Sequence, residues 1–221
     1  MGEHIRLTAR DGVEIGAYKA VPNGTPKGGL VVVQEIFGVN HHIRNVADKF
    51  AALGYLAIAP AVFDRVHPNF EVGYTADDVA KGREVRGKAS MEHMMLDVEA
   101  AAIAAGSAGK VGIVGYCLGG TLAYAAAVKL PQIGLAVGYY GGGIAGMCDE
   151  APKVPTMLHF GERDHSIPMA DVEKIKQARP EVPVYVYAAD HGFSCDERGS
   201  FDKTASDLAL TRTLAFFDAH Y

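Results

Sequence analysis

The sequence predicts an α/β fold with a mostly parallel sheet that is covered by helices on both faces. Short apolar, β-branched runs such as residues 30–34 are typical of strands that are buried on both sides. Segments with helical spacing of apolar residues alternate with these runs, which favours parallel strands joined by helices. Polar and reactive residues follow the strand ends, where parallel sheets place their functional sites.

An antiparallel hairpin is predicted to open the fold. Residues 5–21 alternate loosely between apolar and polar, and Asp11-Gly12 interrupts them with a strong hairpin turn signal. Residues 30–34 then form the first buried strand, which ends at Glu35. The expected architecture is therefore a hairpin followed by a parallel sheet.

Helices and strands alternate from there to the end of the chain. Asn40 is the predicted N-cap of the first helix and Gly54 follows its last turn. Residues 61–76 are irregular, and a loop of this length is typical of a functional segment or a lid. One α/β domain over 1–221 is expected from the length. Further strands are predicted at 55–59, 110–116, 133–139, 154–160 and 182–188. Helices are predicted between the Asn40 cap and Gly54, from about 76, and at 91–105, 118–129, 169–178 and 204–221.

Composition restricts the classes of function. The chain is 49% hydrophobic and 21% charged, which is ordinary for a globular protein. No apolar run has the length of a membrane span and the N-terminus lacks a signal-peptide core, so a cytoplasmic location is expected. Three widely spaced cysteines favour a reducing compartment. A net charge of −5 without a basic cluster argues against nucleic acid, so we expect a small-molecule substrate and a monomer or small homo-oligomer.

A reactive cysteine is predicted between a strand and a helix. The run Gly115-Tyr116-Cys117-Leu118-Gly119 has the glycine spacing of a nucleophile elbow, a strained turn that holds a reactive side chain clear of the sheet. A thiol at a helix N-terminus is favoured as thiolate, and the Leu118 N–H would supply half of an oxyanion hole. The alternative is a chance match with a buried, inert cysteine.

Two further residues complete a candidate triad. Cys117, Asp164 and His191 follow one another in the order nucleophile, acid, histidine, each just beyond a predicted strand. His191 would accept the thiol proton and later activate water, while Asp164 would orient the imidazole. The alternatives are that Asp164 is a turn residue and that His165 or Asp190 takes a partner's place.

Metal ligation is not expected. His191 and Cys195 are four residues apart and could share one helical turn as zinc ligands, but no second pair supports them. The adjacent His41 and His42, and His159, show no metal-ligand spacing.

Glu35 has two interpretations. An acidic residue directly after a buried strand is either a solvated strand end or a functional group. If Glu35 faces Cys117, the carboxylate and the thiol would titrate as a coupled pair.

Five segments of the chain resemble the dienelactone hydrolase (carboxymethylenebutenolidase) family in order and over nearly the whole length. They are residues 34–40, 114–120, 136–141, 164–165 and 191–193. The resemblance implies an α/β-hydrolase fold without a cofactor and a carboxylic ester hydrolase with a triad of Cys117, His191 and Asp164. It also implies that Glu35 helps to generate the thiolate when substrate binds, and that the Ile36 N–H completes the oxyanion hole beside Leu118.

The same resemblance implies a reaction and a substrate class. Thiolate attack on a lactone such as dienelactone would give an acyl-enzyme, which water would release as maleylacetate. The family clamps the substrate carboxylate with arginines. At the position of one of them this chain has Cys195, and Arg198 is the nearest arginine. Arg83 and Arg86 lie near the other, although either could be a solvated helix residue, and Tyr116 is a further candidate contact.

Three other functions remain open at this point. One is a neutral carboxylesterase or thioesterase on the same fold. Another is a ligand-binding protein without activity, because a fold does not guarantee function. The third is a redox sensor that would form a Cys117–Cys195 disulfide.

Overall fold

The computed structural model describes residues 2–221 and contains one eight-stranded sheet. Its strand order is β1-β2-β4-β3-β5-β6-β7-β8. β1 pairs antiparallel with β2 and β2 with β4, whereas all other neighbours are parallel. This confirms the predicted mixed sheet with its N-terminal hairpin. The strands are β1 (Glu3–Thr8), β2 (Glu14–Ala20), β3 (Gly28–Val33), β4 (Tyr55–Pro60), β5 (Val111–Tyr116), β6 (Leu135–Tyr139), β7 (Thr156–Gly161) and β8 (Val184–Tyr187).

The described chain has six α-helices, of which five lie between strands and the last follows β8. Asn40 caps the first, since its Oδ1 accepts the Ile43 N–H at 3.3 Å, as predicted. None of the helices within residues 2–221 is long and apolar enough to cross a membrane. The helices are α1 (His41–Ala52), α2 (Ala76–Lys88), α3 (Met91–Ala105), α4 (Leu118–Lys129), α5 (Met169–Ala178) and α6 (Lys203–His220).

The core lies on both faces of the sheet. Alternate residues of β3 point in opposite directions, so Leu30 and Val32 belong to one buried cluster and Val31 and Val33 to the other. α1 and α6 cover the first face, and α3 covers the second. Each of these side chains is fully buried, which stabilises the fold by about 1.5–3 kcal/mol per residue.

Three predicted strands begin two residues later than expected: β6 starts at Leu135 and not at Ile133, and the other two start after a proline. Residues 154–160 and 182–188 were expected to be extended, but β7 starts after Pro155 and β8 after Pro183. Because proline has no N–H to donate to the ladder, each one marks the edge of regular pairing.

The last helix packs Leu214 and Phe217 against the core as expected, but not Leu210. Residues 204–221 were predicted to carry Leu210 and Leu214 on the apolar side with Phe217, but Leu210 is 38% exposed. The helix turns Thr213 inward instead, where its hydroxyl bonds Tyr139 and His159. The buried residues of α6 are Ala205, Ala209, Thr213, Phe216 and Phe217.

The loop between β4 and α2 is fixed against the segment that follows β3. Val72 N–H donates to the Phe37 carbonyl at 3.1 Å. The Arg44 guanidinium binds the Glu71 carboxylate in bidentate fashion at 2.6 and 2.9 Å. The Tyr74 ring packs edge-on against Phe37. The loop therefore forms a wall beside the carboxyl ends of the central strands.

Candidate active site

Cys117 lies in a strained turn between β5 and α4. Its φ is 56° and its ψ is −114°, a conformation that few non-glycine residues adopt. A Cβ at Gly115 would collide with the Gly119 carbonyl, and one at Gly119 with the Val33 carbonyl. The two glycines thus allow the close approach of strand and helix that the sequence predicts. Cys117 is only partly buried, so the interpretation as an inert core cysteine does not hold.

His191 and Asp164 form a hydrogen-bonded pair beside this turn. The His191 Nδ1 donates to the Asp164 Oδ2 at 2.6 Å, and the Ser166 N–H binds the Asp164 Oδ1 at 2.8 Å. The Asp164 carboxylate is fully buried. Asp190, the alternative acid, is half exposed and its nearest charged partner is Arg163. The geometry therefore brings His191 together with Asp164.

The environment of His191 favours its charged form. Burial alone would lower its pKa, but the hydrogen bond with Asp164 and the neighbouring Cys117 outweigh burial and raise the pKa of His191 to about 10. The imidazole therefore carries a positive charge beside Cys117 at neutral pH.

Glu35 is a buried residue, which excludes the interpretation as a solvated strand end. Its side chain is 1% exposed and its Oε1 accepts a hydrogen bond from Arg198 at 3.0 Å. Within residues 2–221 this is the hydrogen bond that the Glu35 carboxylate makes, so Arg198, and not the Cys117 thiol, is its partner.

The aromatic and backbone surroundings position Arg198. Its guanidinium lies 5.5 Å from the Phe37 ring centre and 6.0 Å from that of Tyr74, within cation–π distance. A Cβ at Gly192 would come within 2.5 Å of the guanidinium, so the absence of a side chain there makes room for it. These contacts place the Arg198 guanidinium between Glu35 and the two aromatic rings.

Cys117 and His191 open into a cavity of about 420 Å³. Arg83, Arg86 and Arg198 all border it, as do the oxyanion-hole candidates Ile36 and Leu118. The remaining lining residues are Phe37, Val79, Met91, Thr121, Gly142, Gly143, Met147, Ser166 and Ile167.

Tyr116 lies away from this cavity. Its side chain is buried, packs on Tyr139 with ring centres 4.8 Å apart and borders a separate small cavity with His42. Successive strand residues point to opposite faces, which directs Tyr116 away from the side that the cavity occupies. The expected substrate contact at Tyr116 therefore has no support from its position.

Tyr140 is a residue of the site that the sequence analysis missed. It has a positive φ of 39° and its ring lies 5.1 Å from that of His191. The ring also packs against Phe193, and together these contacts hold the imidazole plane. The only signal in the sequence is a tyrosine at a strand end before three glycines, which does not specify a role.

Comparison with known proteins gives consistent matches. The model of the dienelactone hydrolase family matches residues 15–221. The carboxymethylenebutenolidase of Pseudomonas putida is 35% identical over 231 residues, which are 97% of this chain and 95% of that protein. A Synechocystis sp. protein, provisionally named carboxymethylenebutenolidase, is 39% identical over 226 residues. The alignment covers 93% of this chain and 92% of that protein.

A solved structure shares the architecture. The crystal structure of a provisionally named dienelactone hydrolase from Klebsiella pneumoniae subsp. pneumoniae superposes with a TM-score of 0.89 at 29% identity. The match covers 100% of this chain and 99% of that one. The chain therefore has the α/β-hydrolase fold and belongs to the dienelactone hydrolase family of hydrolases.

Proposed function

We propose that the protein opens small carboxylated lactones through an acyl-enzyme formed on Cys117. The observation that carries this proposal is a single cavity that presents a strained cysteine, a His191–Asp164 pair and three arginines. The relatives named carboxymethylenebutenolidase support the lactone class. We further propose that residues 1–221 act as one domain and need no cofactor.

The first half of the reaction forms the acyl-enzyme. The helix N-terminus and the imidazolium of His191 favour the thiolate of Cys117. The thiolate attacks the lactone carbonyl carbon, and the N–H groups of Ile36 and Leu118 stabilise the oxyanion. The carbon–oxygen bond of the ring breaks as the tetrahedral intermediate collapses, and His191 gives its proton to the ring oxygen.

The second half releases the product. Neutral His191 removes a proton from water, and the hydroxide attacks the thioester carbon. The bond to Cys117 breaks, thiolate leaves, and His191 is again positively charged beside it. Asp164 keeps the imidazole in the tautomer that both steps require.

The arginines support an anionic substrate. Arg83, Arg86 and Arg198 create a local positive field in a chain whose net charge is −5. Arg198 is bound to Glu35 in the absence of substrate, and a substrate carboxylate at Arg198 would compete for that bond. Glu35 released in this way becomes available as a base near the thiol, which agrees with the role that the family resemblance implies.

A neutral carboxylesterase or thioesterase is the second candidate, because much of the cavity wall is apolar: Val79, Met91, Met147 and Ile167 all border it.

The redox-sensor alternative has less support than either hydrolase. Burial raises the pKa of Cys195 to about 12, so this residue is a poor source of the thiolate that disulfide formation needs.

The charge of the preferred substrate distinguishes the two candidates. We expect kcat/KM for a carboxylated lactone to exceed that for its uncharged methyl ester, and Arg198→Met to reduce this preference by about tenfold or more, the worth of one charge-assisted hydrogen bond. Arg10→Met is the matched control, because Arg10 is 71% exposed on the N-terminal hairpin and should leave the preference unchanged. Equal turnover of both substrates by the unsubstituted protein would favour the neutral esterase.

A further inference from the structure

Three buried side chains of different chemistry meet outside the cavity that holds Cys117. Glu35 follows β3, His42 lies in the first turn of α1 and Cys195 lies in the loop after β8. One oxygen, one nitrogen and one sulfur of these residues all lie within 4.8 Å of one another. At most 1% of each residue is exposed.

Two of these atoms are unpaired. Within residues 2–221 neither the Glu35 Oε2 nor the His42 Nε2 has a hydrogen-bond partner. Leaving a polar atom buried and unpaired is unfavourable, and here two such atoms belong to residues that each place a ligand atom within 4.8 Å of a thiol sulfur. The arrangement is therefore unfavourable unless something occupies the space between them.

The other polar atom of His42 and of Glu35 forms a hydrogen bond outside the cluster. The His42 Nδ1 bonds the Asp196 Oδ1 at 3.0 Å, and Lys49 Nζ holds the other Asp196 oxygen at 3.3 Å. Arg198 occupies the Glu35 Oε1. A carboxylate on Nδ1 fixes the tautomer that leaves the Nε2 lone pair free, an arrangement that is typical of metal-ligating histidines.

Cys195 supplies the third group through its single sulfur. Glu35 and His42 thus each have one atom paired outside the cluster and one unpaired atom, and the cysteine sulfur lies within 4.8 Å of a ligand atom of each.

We propose that Glu35, His42 and Cys195 bind a Zn²⁺ ion, with the fourth coordination position open. Thiolate, imidazole and carboxylate are the three ligand types that zinc takes in proteins. Ligand atoms of a tetrahedral zinc site are about 3.5 Å apart, so the ion would draw these atoms together by about an ångström. The Cys195 thiol gives its proton to solvent when the sulfur binds the ion.

The site has a route to the surface. His42 borders a small cavity of about 80 Å³, whose wall also contains Lys49, and the side chain of Lys49 is 64% exposed. The cavity lies apart from the one that holds Cys117, which His42 does not border. Glu35 is nevertheless shared with the proposed hydrolase site through its bond to Arg198, so zinc binding has to be measured in a protein that lacks Cys117.

The test is a Co²⁺ titration, followed by displacement with Zn²⁺, in a Cys117→Ala background. This background removes the other cysteine and histidine pair that could bind the metal, and it separates the outcome from that of the hydrolase proposal. We expect one Co²⁺ per chain, a thiolate-to-cobalt charge-transfer band and visible ligand-field bands of tetrahedral intensity. Adding Cys148→Ala, the matched change of a fully buried cysteine outside the cluster, should leave the spectrum unchanged.

Two ligand variants decide the assignment. Adding Cys195→Ser should abolish the charge-transfer band, and adding His42→Gln should weaken Co²⁺ binding at least tenfold. Circular dichroism and the change in Tm on adding Zn²⁺ show whether each variant is folded and whether it binds the ion. A missing band in the Cys117→Ala protein, or a band that survives Cys195→Ser, would overturn the proposal.

Discussion

At the scale of single residues, the backbone strain at Cys117 is the central feature of the site. A positive φ in a non-glycine residue costs on the order of 1–3 kcal/mol and persists only where its surroundings impose it. Here the strand, the helix and the close contacts at Gly115 and Gly119 impose it. The steric requirement is local, which is why the sequence alone predicts the elbow.

The pairing of Glu35 with Arg198 could not be predicted in the same way. These residues are 163 positions apart and their contact depends on the path of the loop after β8. The family resemblance implies an arginine at position 195, where this chain has cysteine, and leaves Arg198 as the nearest arginine. The structure shows that Arg198 contacts the Glu35 carboxylate.

The charge on His191 leads to a prediction for stability against pH. Its pKa is about 6.5 in an unfolded chain and about 10 in the fold. A raised histidine pKa stabilises the fold below the unfolded value, and this contribution is lost as pH rises towards about 10. The free energy of unfolding lost in His191→Gln should therefore be largest at about pH 6.5 and below, and shrink as the pH rises towards about 10.

Urea unfolding of both proteins between about pH 6.5 and 10 measures this difference. His159→Gln is the matched control, since burial lowers the pKa of His159 to about 3 and leaves it uncharged throughout that range. Its cost should stay constant with pH. A constant cost for His191→Gln as well would contradict the charged state of His191.

At the scale of elements, the order of strands and helices follows from periodicity, and the errors arise where long-range contacts decide. The prolines before β7 and β8 shorten two strands. The rotation of α6 follows from the Thr213 hydroxyl, which bonds Tyr139 and His159 from β6 and β7. The spacing of apolar residues identifies the helix. It does not show that a polar residue, Thr213, faces the core.

One cluster of ion pairs links three parts of the fold that are far apart in the sequence. Arg65, in the loop after β4, donates to Asp11 of the N-terminal hairpin at 2.6 Å and to Asp97 of α3 at 2.9 Å. Burial raises the pKa of Asp97 to about 6, and the bond to Arg65 partly offsets that rise. Arg65 is therefore the counter-charge of a carboxylate that is fully buried.

Arg65→Met should reduce the free energy of unfolding by about 3–5 kcal/mol at neutral pH, because Asp97 remains buried without a counter-charge. Arg65 lowers the pKa of Asp97, so its removal raises that pKa further. The loss should therefore diminish as the pH falls towards about 6 and level off below it, where Asp97 is protonated in both proteins. The double variant Arg65→Met/Asp97→Asn should recover part of the loss. The exposed pair of Arg10 and Glu99 offers the control, since Arg10→Met should cost less than about 1 kcal/mol. Equal losses for Arg65→Met and Arg10→Met would contradict this account.

At the scale of the whole molecule, the strand order brings distant residues to one edge of the sheet. Glu35 follows β3, Cys117 follows β5, Asp164 follows β7 and His191 follows β8. Because the carboxyl ends of parallel strands lie on the same side, the sequence predicts that these residues meet. The family resemblance also points to Arg83, Arg86 and Arg198, which all border the cavity. That His42 and Cys195 converge on Glu35 could not be predicted, since that contact depends on loop conformation.

The central claim is that Cys117 carries the acyl group, and mass spectrometry tests it directly. The protein is mixed with a slowly hydrolysed aryl ester, quenched in acid during turnover and digested. We expect one acyl group per chain on the peptide that contains Cys117, and neither adduct nor turnover in Cys117→Ala. Label on Cys148 or Cys195, or turnover that survives Cys117→Ala at the original rate, would contradict the account.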